Sequence, residues 1–510
     1  MGEMMSNRGD DAKALREVRE LRNAHNWKHL ARWNGLGFYE LQTEDTGTVR
    51  VRLFFTPQLL ADTEDILYRQ IVNATRFRGV RMVVITPDAH YGYGVPVGCV
   101  LITDADAGAV AMGPVGYDIG CGMMSARSNV EAEAATPERR LEFNRAVMGR
   151  VDMGFGGKSK RLGRLSEPEF QNLVRGGAEY YVERYGATFD RSRAERHRIP
   201  VDDDWQIPWG GKGRPERGLE QMGSLGGGNH FIELQRSEAA GTLFLQVHTG
   251  SRGFGHGLAT NYFEMAREEH PELLKDIDLG YFTPESPHYR DYLNAVAAGG
   301  NYAILNRLVI FEQVSDAFRE VFHEDLELVY EISHNLVQRE WHPEFGDVWV
   351  HRKGATRAFP ASHPHLQGTQ WEETGHPVLI PGSNKDWSYI LRPLAGAERS
   401  GFSVNHGAGR RISRGEATRT LSQRAMDEEY REAGIVVNAD GHVPLDEAAP
   451  CYKPSEEVVA AVVGAGLAEV EHRLWPLASL KGVDELKRGR RARRAKARSG
   501  AEGKKTSEHY

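Results

Sequence analysis

Residues 80–127 read VRMVVITPDAHYGYGVPVGCVLITDADAGAVAMGPVGYDIGCGMMSAR and indicate the centre of the fold. The first seven residues, Val80–Thr86, are mostly apolar and predict a buried strand that ends at Pro87. The remainder, up to Arg127, is rich in glycine and apolar residues, which is typical of buried strands joined by tight turns. The stretch therefore predicts a buried, strand-rich centre.

Elements of both kinds surround this stretch. Short apolar runs predict strands at Val49–Phe55, Leu243–Val247, Leu326–Ile332, Val348–His351 and Val378–Pro381. Helical patterns cover Asp10–Ala24, Glu138–Ala187, Tyr302–Phe322 and Glu456–Trp475. The mixture is best described as an α+β fold. No Ser/Gly-rich or Pro-rich linker divides the chain, whose composition changes only near Val483, so we expect one large domain over residues 1–482 and a separate tail over residues 483–510.

Composition narrows the class of protein. The chain has 510 residues, which alone suggests about three domains. The net charge of −7 discourages a polyanionic partner, although the distribution of charge matters more than its sum. Three cysteines cannot form a disulfide framework, Met1–Trp27 lacks an apolar signal core, and no run of about 18 apolar residues exists. We therefore expect a cytoplasmic protein without a membrane span.

Five residues form a candidate metal-ligand set. Asp118 and Cys121 lie three residues apart in a glycine-containing turn, where a carboxylate and a thiolate can reach one centre. His230, His248 and His334 each follow or end an apolar stretch. A lone cysteine or histidine in such a place is more often a core residue, but the set is large enough for two metal ions that share the thiolate. The donors suit Zn, Co or Fe as well as Mn.

Three other segments carry polar chemistry. His406 is followed by Gly-Ala-Gly-Arg, which suits an imidazole nucleophile that attacks phosphorus, or an ordinary turn histidine. The glycine-rich segment 223–229 matches neither a P-loop nor a dinucleotide fingerprint and is weak evidence for phosphate binding. His351, Arg352 and Lys353 suit either a contact to phosphate or RNA backbone, or a solvated basic turn.

Taken in order, the motifs closely resemble those of the RtcB-type RNA-splicing ligases. They are PDAH (87–90), GYGVPVG (92–98), GYDIGCGM (116–123), GGGNHFIEL (226–234), HTGSRGFGH (248–256), GGNYAILNR (299–307), SHN (333–335), HRKGATRAFP (351–360), LIPGS (379–383) and HGAGR (406–410). The resemblance runs from about Pro87 to Gly482. It implies mixed sheets around a dinuclear metal site with helices outside. It also implies an enzyme that uses GTP and two Mn²⁺ ions to join an RNA 2′,3′-cyclic phosphate or 3′-phosphate end to a 5′-hydroxyl end, in tRNA splicing or RNA repair.

The resemblance also implies roles for individual residues. Cys121 would bridge the two manganese ions, with Asp118 and His230 on one ion and His248 and His334 on the other. His406 would take GMP as a phosphoramidate, and Asp88 would position a group or handle a proton. The implied nucleotide contacts are Asn229, Glu233, Ser383, Ala408, Gly409 and Lys481, the last of these to the guanine. RNA is the implied partner, an archease-type activator is a further one, and a monomer is expected.

Two alternatives to a ligase remain open at this point. A metal-dependent RNA phosphodiesterase or 3′-end-processing enzyme would keep the metal ligands without sealing ends, and a paralogue without catalysis would only bind RNA. Intact His406 and Lys481 argue against the first, and the complete ligand set argues against the second. The segment Asn384–Trp387 departs from the Met-Gly that usually follows LIPGS in the family, so nucleotide affinity or preference could differ.

The tail is the most basic part of the chain. Residues 487–498, KRGRRARRAKAR, hold 8 Lys or Arg and no acid. The whole segment 483–510 carries 10 Lys or Arg against 4 Asp or Glu, a net +6, which leaves −13 for the preceding 482 residues. Such a run is usually disordered and solvated, or it contacts RNA phosphates.

Deletion of the tail after Gly482 separates these two interpretations. If the tail neutralises phosphates, the truncated protein binds RNA more weakly and its affinity falls less steeply with salt, because each lost phosphate contact reduces the slope by about 1. RNA affinity measured across a salt series checks this. An unchanged slope would assign the tail to solvent.

Overall fold

The computed structural model describes residues 21–187, 189–193, 198–271 and 277–482. Its helices are α1 (Trp27–Leu30), α2 (Pro57–Asp62), α3 (Leu67–Ala74), α4 (Pro137–Arg150), α5 (Glu167–Tyr185), α6 (Arg252–Glu269), α7 (Tyr289–Phe322), α8 (Arg414–Thr420), α9 (Gln423–Glu432) and α10 (Ser455–Gly464). Its strands are β1 (Arg32–Trp33), β2 (Tyr39–Leu41), β3 (Arg50–Leu53), β4 (Val80–His90), β5 (Val97–Asp104), β6 (Val110–Ala111), β7 (Gly122–Glu131), β8 (Phe231–Ser237), β9 (Thr242–Thr249), β10 (Tyr281–Phe282), β11 (Glu327–Ser333), β12 (Asn335–His342), β13 (Gly346–Lys353), β14 (Ala355–Arg357), β15 (Val378–Ile380), β16 (Ser388–Pro393), β17 (Ser403–Asn405), β18 (Val436–Val437) and β19 (Ala468–Lys481).

Two large mixed sheets form the centre. The first has the order β1-β2-β3-β4-β5-β13-β12, and the second has the order β11-β7-β9-β8-β19-β16-β15 with β18 beside β19. Each is antiparallel apart from one parallel pair, β3 with β4 in the first and β18 with β19 in the second. Two small pairs, β6 with β10 and β14 with β17, complete the pattern.

Apolar side chains on both faces of the first sheet are buried. On one face, Val84 and Ile102 share a core with Ile380 and Leu391 of the second sheet, so the two sheets pack together. On the other face, the core is closed by α2 and α3. Mixed sheets with helices outside confirm the predicted α+β class.

The helix α7 is the main support of the second sheet. Its residues Ile304, Leu308 and Phe311 pack against apolar side chains of β7, β8 and β9. Small residues let the chain approach this helix closely: a Cβ on Gly120, whose φ is +75°, would lie 2.7 Å from Cβ of Ala303 and 3.0 Å from Cα of Gly300. The turn that carries Asp118 and Cys121 therefore rests directly on α7.

Most predicted elements are present, but several differ in extent. Glu138–Ala187 is two helices, α4 and α5, separated by residues 151–166, and the helix predicted from Tyr302 begins at Tyr289. The strand predicted to end at Pro87 continues to His90, because the pairing with β5 becomes irregular between Ile85 and His90, where a proline is tolerated.

The prediction of a helix over Glu456–Trp475 is wrong in its second half. The helix α10 ends at Gly464, and Gly466 adopts a φ of +64°, which turns the chain. The residues that follow form β19, which lies between β8 and β16 in the middle of the second sheet. Gly464 and Gly466 were the sequence signal for the end of this helix. Beyond them, pairing with distant strands overrides the helical pattern.

Some predictions fall on other parts of the chain. Residues 10–20 of the helix predicted at Asp10–Ala24, and the whole tail 483–510, lie outside the described residues. The division of the chain into a catalytic domain over residues 1–482 and a tail therefore stays a prediction. Within the described ranges, none of the helices combines the length and the apolar character that a membrane span requires.

Substitution of Gly120 by alanine tests the contact with α7. We expect Gly120→Ala to destabilise the protein by about 2–5 kcal/mol, because the new methyl group meets Ala303 and the backbone conformation disfavours a Cβ. Gly163→Ala is the matched control, since Gly163 has a φ of +65° but no atom within 4 Å of the added Cβ. It should lose only about 1–2 kcal/mol. Urea denaturation measures both, and equal losses would contradict the packing argument.

Candidate active site

Neighbouring strands of the second sheet bring the predicted metal ligands to one edge. Cys121 directly precedes β7, His230 directly precedes β8, His248 lies near the end of β9, and His334 follows β11. These four strands are adjacent in the order β11-β7-β9-β8 and antiparallel, so the starts of β7 and β8 meet the ends of β9 and β11. The fold thus gathers side chains that lie up to 213 residues apart in sequence.

The side chains form two groups that share one sulfur. In the first group, Cys121 Sγ lies 3.3 Å from His248 Nε2, which lies 3.3 Å from His334 Nε2. In the second group, His230 Nε2 lies 3.1 Å from Asp118 Oδ2 and 3.5 Å from Cys121 Sγ. Cys121 is 4% exposed, and the three histidines are also buried.

Hydrogen bonds on the far side of two rings fix which nitrogen faces the centre. Nδ1 of His230 donates to the Leu225 carbonyl at 3.0 Å, and Nδ1 of His248 donates to the Asn229 carbonyl at 3.1 Å. In a neutral ring held this way, Nε2 presents its lone pair to the centre. Metal-binding histidines are held in this manner, with the other ring nitrogen donating to a carbonyl.

The titration of these groups agrees with a buried cation site. Burial and neighbouring histidines hold the pKa of His248 and His334 well below the ordinary value, so both rings are neutral. Burial and the Asp118 carboxylate raise the pKa of Cys121 well above its usual value. A cation between these groups would reverse the second effect and favour the thiolate.

The donor set therefore fits metal ions. Nδ1 of His334 is buried with no hydrogen-bond partner among the described residues, and the Nε2 atoms of His230 and His248 approach the thiol sulfur. Imidazole, thiolate and carboxylate together can hold two ions through a shared sulfur. These donors accept several divalent metals, so the geometry indicates metal binding without selecting manganese.

A buried arginine on α7 holds the strand ends that carry three of the ligands. The guanidinium of Arg307 donates to the carbonyls of Gly120 at 2.8 Å and Thr249 at 2.9 Å, and to the hydroxyl of Ser333 at 2.8 Å. Each of these residues adjoins a ligand, namely Cys121, His248 and His334. Its charge is balanced by Glu331, which is also buried. This explains the last residue of the GGNYAILNR motif, to which the sequence alone gave no role.

His406 lies beside the first group. It follows β17, and its ring centroid is 4.8 Å from that of His334 with the planes at 69°. Oδ2 of Asp88 accepts from His406 Nδ1 at 2.7 Å, from the His406 backbone N–H at 3.0 Å and from the Gly407 N–H at 3.2 Å. Oδ1 of Asp88 accepts from the Thr86 hydroxyl at 2.6 Å. One carboxylate thus fixes both the ring and the backbone of His406.

The state of Asp88 determines which nitrogen of His406 is available. Burial alone would raise the pKa of this carboxyl, but the charge and hydrogen bond of His406, with the bond from Thr86, hold the pKa below its ordinary value. The ionised Asp88 accepts the Nδ1 proton of His406. In a neutral His406 ring, this hydrogen bond leaves the lone pair on Nε2, as a nucleophile requires.

One cavity of about 590 Å³ connects His406 with the metal-ligand groups and the predicted nucleotide contacts. Asp118, Cys121, His248 and His334 line it on one side. All the predicted nucleotide contacts line it as well, namely Asn229, Glu233, Ser383, Ala408, Gly409 and Lys481. The structure therefore places these residues together around one cavity.

A carboxyl on β8, Glu233, and an ammonium group on the neighbouring strand β19, Lys481, both line this cavity. Burial raises the pKa of Glu233 to about 7, and Gln235 and Lys481 partly offset this. Burial lowers the pKa of Lys481, against the opposing effect of Glu447 and Glu233. Two buried ionisable groups with opposite shifts form a polar end suited to a ligand that both donates and accepts hydrogen bonds.

Other residues also line the cavity, and among them the sequence had indicated Arg410 in the HGAGR motif. Phe231 lies 5.2 Å below the Lys481 ammonium, and the Arg410 guanidinium lies 5.1 Å from the Tyr452 ring. Arg414 shares the buried Glu447 with Arg410. Phe231 stands within the GGGNHFIEL motif, which was a usable signal. Tyr452 had none, because it belongs to no motif and reaches the cavity only through the fold.

The interpretation of His351, Arg352 and Lys353 as a solvated basic turn was wrong, and a contact to phosphate stays a prediction for Lys353 alone. All three are buried in β13. His351 donates to the Leu101 carbonyl, and Arg352 forms a bidentate ion pair with the buried Glu340 at 2.6 and 2.9 Å. Of the three, only Lys353 lines the cavity. A strand in the middle of a sheet hides basic residues whenever their charges are paired, which the sequence does not reveal.

The segment Asn384–Trp387 is integrated into the wall of the cavity. Oδ1 of Asn384 accepts from the Tyr430 hydroxyl, and Lys385 pairs with Glu429. Oδ2 of Asp386 accepts from the Ser455 N–H at 2.8 Å, and Trp387 packs edge-on against Trp475. The segment that departs from the family pattern is therefore held by hydrogen bonds, an ion pair and an aromatic contact of its own.

Comparison with known proteins connects the chain to one family. The family model described as "tRNA-splicing ligase RtcB" matches residues 70–482, beginning somewhat before the motifs at Pro87. A tRNA-splicing ligase RtcB of Pyrobaculum aerophilum is 35% identical over 466 residues, which cover 85% of this chain and 95% of the relative. An RNA-splicing ligase RtcB of Mycobacterium tuberculosis is 36% identical over 440 residues, 81% of this chain and all of the relative. A tRNA-splicing ligase RtcB of Thermococcus kodakarensis is 34% identical over 461 residues, which cover 84% of this chain and 94% of the relative.

The shared sulfur can be tested with cobalt as a spectroscopic probe. Addition of Co²⁺ to the protein should produce a near-ultraviolet thiolate-to-cobalt charge-transfer band, which Cys121→Ser should abolish together with tight binding of both ions. Cys451→Ser is the matched control, since Cys451 is also a buried free thiol and its Sγ donates to the Leu445 carbonyl, as a serine hydroxyl would. A band that survives in Cys121→Ser would contradict the shared ligand.

Proposed function

This chain belongs to the RtcB family of RNA-splicing ligases and is an RNA ligase, and we propose that it joins RNA 2′,3′-cyclic phosphate or 3′-phosphate ends to 5′-hydroxyl ends with GTP as the energy source. tRNA splicing or RNA repair is the setting that we propose. A cytoplasmic location, a monomeric state and an archease-type activator stay predictions of the sequence.

The observation that carries this proposal is the arrangement of His406. Its Nδ1 is held by Asp88 at 2.7 Å, its ring adjoins His334 of the metal-ligand group, and its surroundings form a cavity large enough for a nucleotide. Enzymes that only hydrolyse phosphodiesters need metal ligands but no oriented nucleophilic imidazole beside them. The arrangement therefore favours covalent nucleotidyl transfer.

In the first step that we propose, Nε2 of His406 attacks the α-phosphorus of GTP. The new N–P bond replaces the bond from that phosphorus to the bridging oxygen, and pyrophosphate leaves. Asp88 keeps the Nδ1 proton in place and stabilises the ring as it becomes positively charged. Arg410 and Arg414 lie at the same cavity and are suited to gather charge from the phosphates.

The next steps transfer and release GMP. A cyclic phosphate is first opened by water to a 3′-phosphate. An oxygen of that 3′-phosphate attacks the phosphorus of the His406 adduct, so an O–P bond forms, the N–P bond breaks and Nε2 regains its lone pair. The 5′-hydroxyl then attacks the 3′-phosphate, loses its proton, and displaces GMP to leave a phosphodiester. GMP is a better leaving group than oxide, which accounts for the use of a nucleotide.

Two Mn²⁺ ions are the cofactors that we propose, held through Cys121 with Asp118 and His230 on one side and His248 and His334 on the other. When bound, such ions supply charge neutralisation for the phosphate groups. The residues of the chain provide the remainder: they orient His406, exclude bulk water by burial, and hold the Nδ1 proton.

At the other end of the cavity, we propose that the guanine of GTP lies between Glu233 and Lys481. A carboxylate accepts from the N–H groups of a guanine edge, and an ammonium donates to a carbonyl oxygen. Asn229, Ser383, Ala408 and Gly409 would hold the phosphate and ribose between this end and His406. Their position around one cavity supports this assignment.

Covalent labelling tests the proposal. Incubation with α-labelled GTP and Mn²⁺ should give an acid-labile protein–GMP adduct, which His406→Ala should abolish because the nucleophile is lost. Asp88→Asn should slow its formation at least about tenfold, since the ring loses its anionic partner. His442→Ala, a change at an exposed histidine paired with Asp427, serves as the control and should label normally.

The same assay discriminates the alternative function. An enzyme that opens cyclic phosphates without forming an adduct would be a phosphodiesterase or 3′-end-processing enzyme. Absence of the adduct from the wild-type protein with GTP and Mn²⁺ would therefore overturn the ligase mechanism.

A further inference from the structure

Tyr93 stands at the mouth of the cavity and takes no part in the chemistry above. Its side chain is 67% exposed, yet it lines the same cavity as Cys121 and His406. Its ring is edge-on to that of Tyr117, with the centroids 6.4 Å apart. Because Tyr117 directly precedes Asp118 in the chain, the exposed ring lies on the side of the metal-ligand groups.

The loop that carries Tyr93 is held rigidly by buried polar side chains. Gln70 both donates to the Gly92 carbonyl at 2.5 Å and accepts from the Gly92 N–H at 2.9 Å, and Asn73 donates to the Gly94 carbonyl at 2.8 Å. The Lys353 ammonium donates to the carbonyls of Tyr93 at 2.6 Å and Val95 at 3.1 Å. The backbone on each side of the exposed ring is thus fixed.

Neighbouring packing fixes the loop further. Gly94 has a φ of +69°, and a Cβ there would lie 2.7 Å from the carbonyl oxygen of Asp278. The Asp278 carboxylate in turn accepts from the Tyr117 hydroxyl at 2.8 Å. Tyr117 also packs on Phe263, with the centroids 4.7 Å apart. The loop and its neighbouring ring therefore form one ordered surface.

Tyr93 is an exposed aromatic ring on an ordered loop at the edge of the cavity. Such a ring is suited to a ligand that packs against its exposed face. A guanine nucleotide at Glu233 and Lys481 would be enclosed, since these residues are only 2% and 6% exposed. A ligand that reaches Tyr93 must instead extend out of the cavity, as a polynucleotide does. Single-stranded RNA ends are commonly bound by stacking of bases on tyrosine.

We propose that Tyr93 is a stacking platform for an unpaired base of the RNA end that reacts in the cavity. This rests on the proposed function, because it takes the reacting end to be RNA. Stacking needs no particular base, so the platform would position ends of any sequence. Lys353, Gln70 and Asn73 would act indirectly, by holding the loop.

The experiment compares Tyr93→Ala with Tyr93→Phe. Tyr93→Ala should weaken binding of a single-stranded 3′-phosphate RNA by about 5- to 150-fold, and Tyr93→Phe should bind like the wild type because the ring is kept. Trp33→Ala is the control for loss of an exposed aromatic ring, since Trp33 is 53% exposed in β1 and does not line the cavity. Fluorescence anisotropy gives the affinities, and thermal unfolding verifies that each variant is folded.

A second set of RNAs identifies the stacked position. Each oligonucleotide carries one abasic site, and the series moves this site stepwise away from the reactive end. At one position, the wild-type protein should lose affinity while Tyr93→Ala loses none. Unchanged RNA affinity of Tyr93→Ala, or equal loss in Tyr93→Phe, would overturn the platform.

The outcome is separable from that of the proposed function. Labelling of His406 with GTP alone involves no RNA, so Tyr93→Ala should form the GMP adduct at the wild-type rate. A wild-type protein that forms no adduct would overturn the ligase mechanism, and RNA binding by the Tyr93 variants would still decide the platform. A normal adduct with unchanged RNA affinity in Tyr93→Ala would overturn the platform alone.

Discussion

The buried guanidinium of Arg307 connects the helix α7 with the strand ends on which the candidate site depends. It donates to residues that adjoin Cys121, His248 and His334, and its charge is balanced by Glu331. Breaking one partner of a buried ion pair leaves an uncompensated charge, which typically destabilises a protein by about 3–5 kcal/mol. Each residue that Arg307 contacts lies next to a candidate metal ligand. The Arg307–Glu331 pair therefore both positions these ligands and stabilises the second sheet. Packing of Gly120 on Ala303 serves the same junction.

The protein has a negative net charge, but several of its basic residues are gathered at one place. Residues 1–482 carry a net −13, yet Lys353, Arg410, Arg414 and Lys481 all line one cavity. Most of these cations are held by buried acceptors: Lys353 by loop carbonyls, and both arginines by Glu447. Basic side chains gathered at one cavity of an acidic body offer partners to phosphate groups there, and the acidic remainder disfavours non-specific binding elsewhere. The mean charge of the chain is therefore a poor guide to its partner.

Local pattern predicted much of this structure, and contacts between distant segments account for what it missed. Glycine-flanked histidines at the ends of apolar runs indicated the metal-ligand groups, because a strand end places such side chains at one edge of a sheet. Arg307 stood in the GGNYAILNR motif without an assigned role, and Tyr452 stood in no motif, since both reach the site through contacts that only the fold creates. The basic run at His351 was misread because ion pairing with Glu340 is invisible in one segment. The strand β19 was read as helix because its pairing partners, β8 and β16, lie far from it in sequence.

The position of β19 means that the second sheet is completed late in synthesis. It is the last strand that the structure describes, but it lies between β8 and β16 rather than at an edge, and it ends at Lys481. During synthesis, β8 and β16 emerge from the ribosome well before the strand that separates them. The sheet can close only after residue 481 has been added, so a nascent chain arrested earlier holds the candidate ligands and His406 without a finished cavity. Incomplete products would therefore lack the cavity in which we propose that a nucleotide and an RNA end bind.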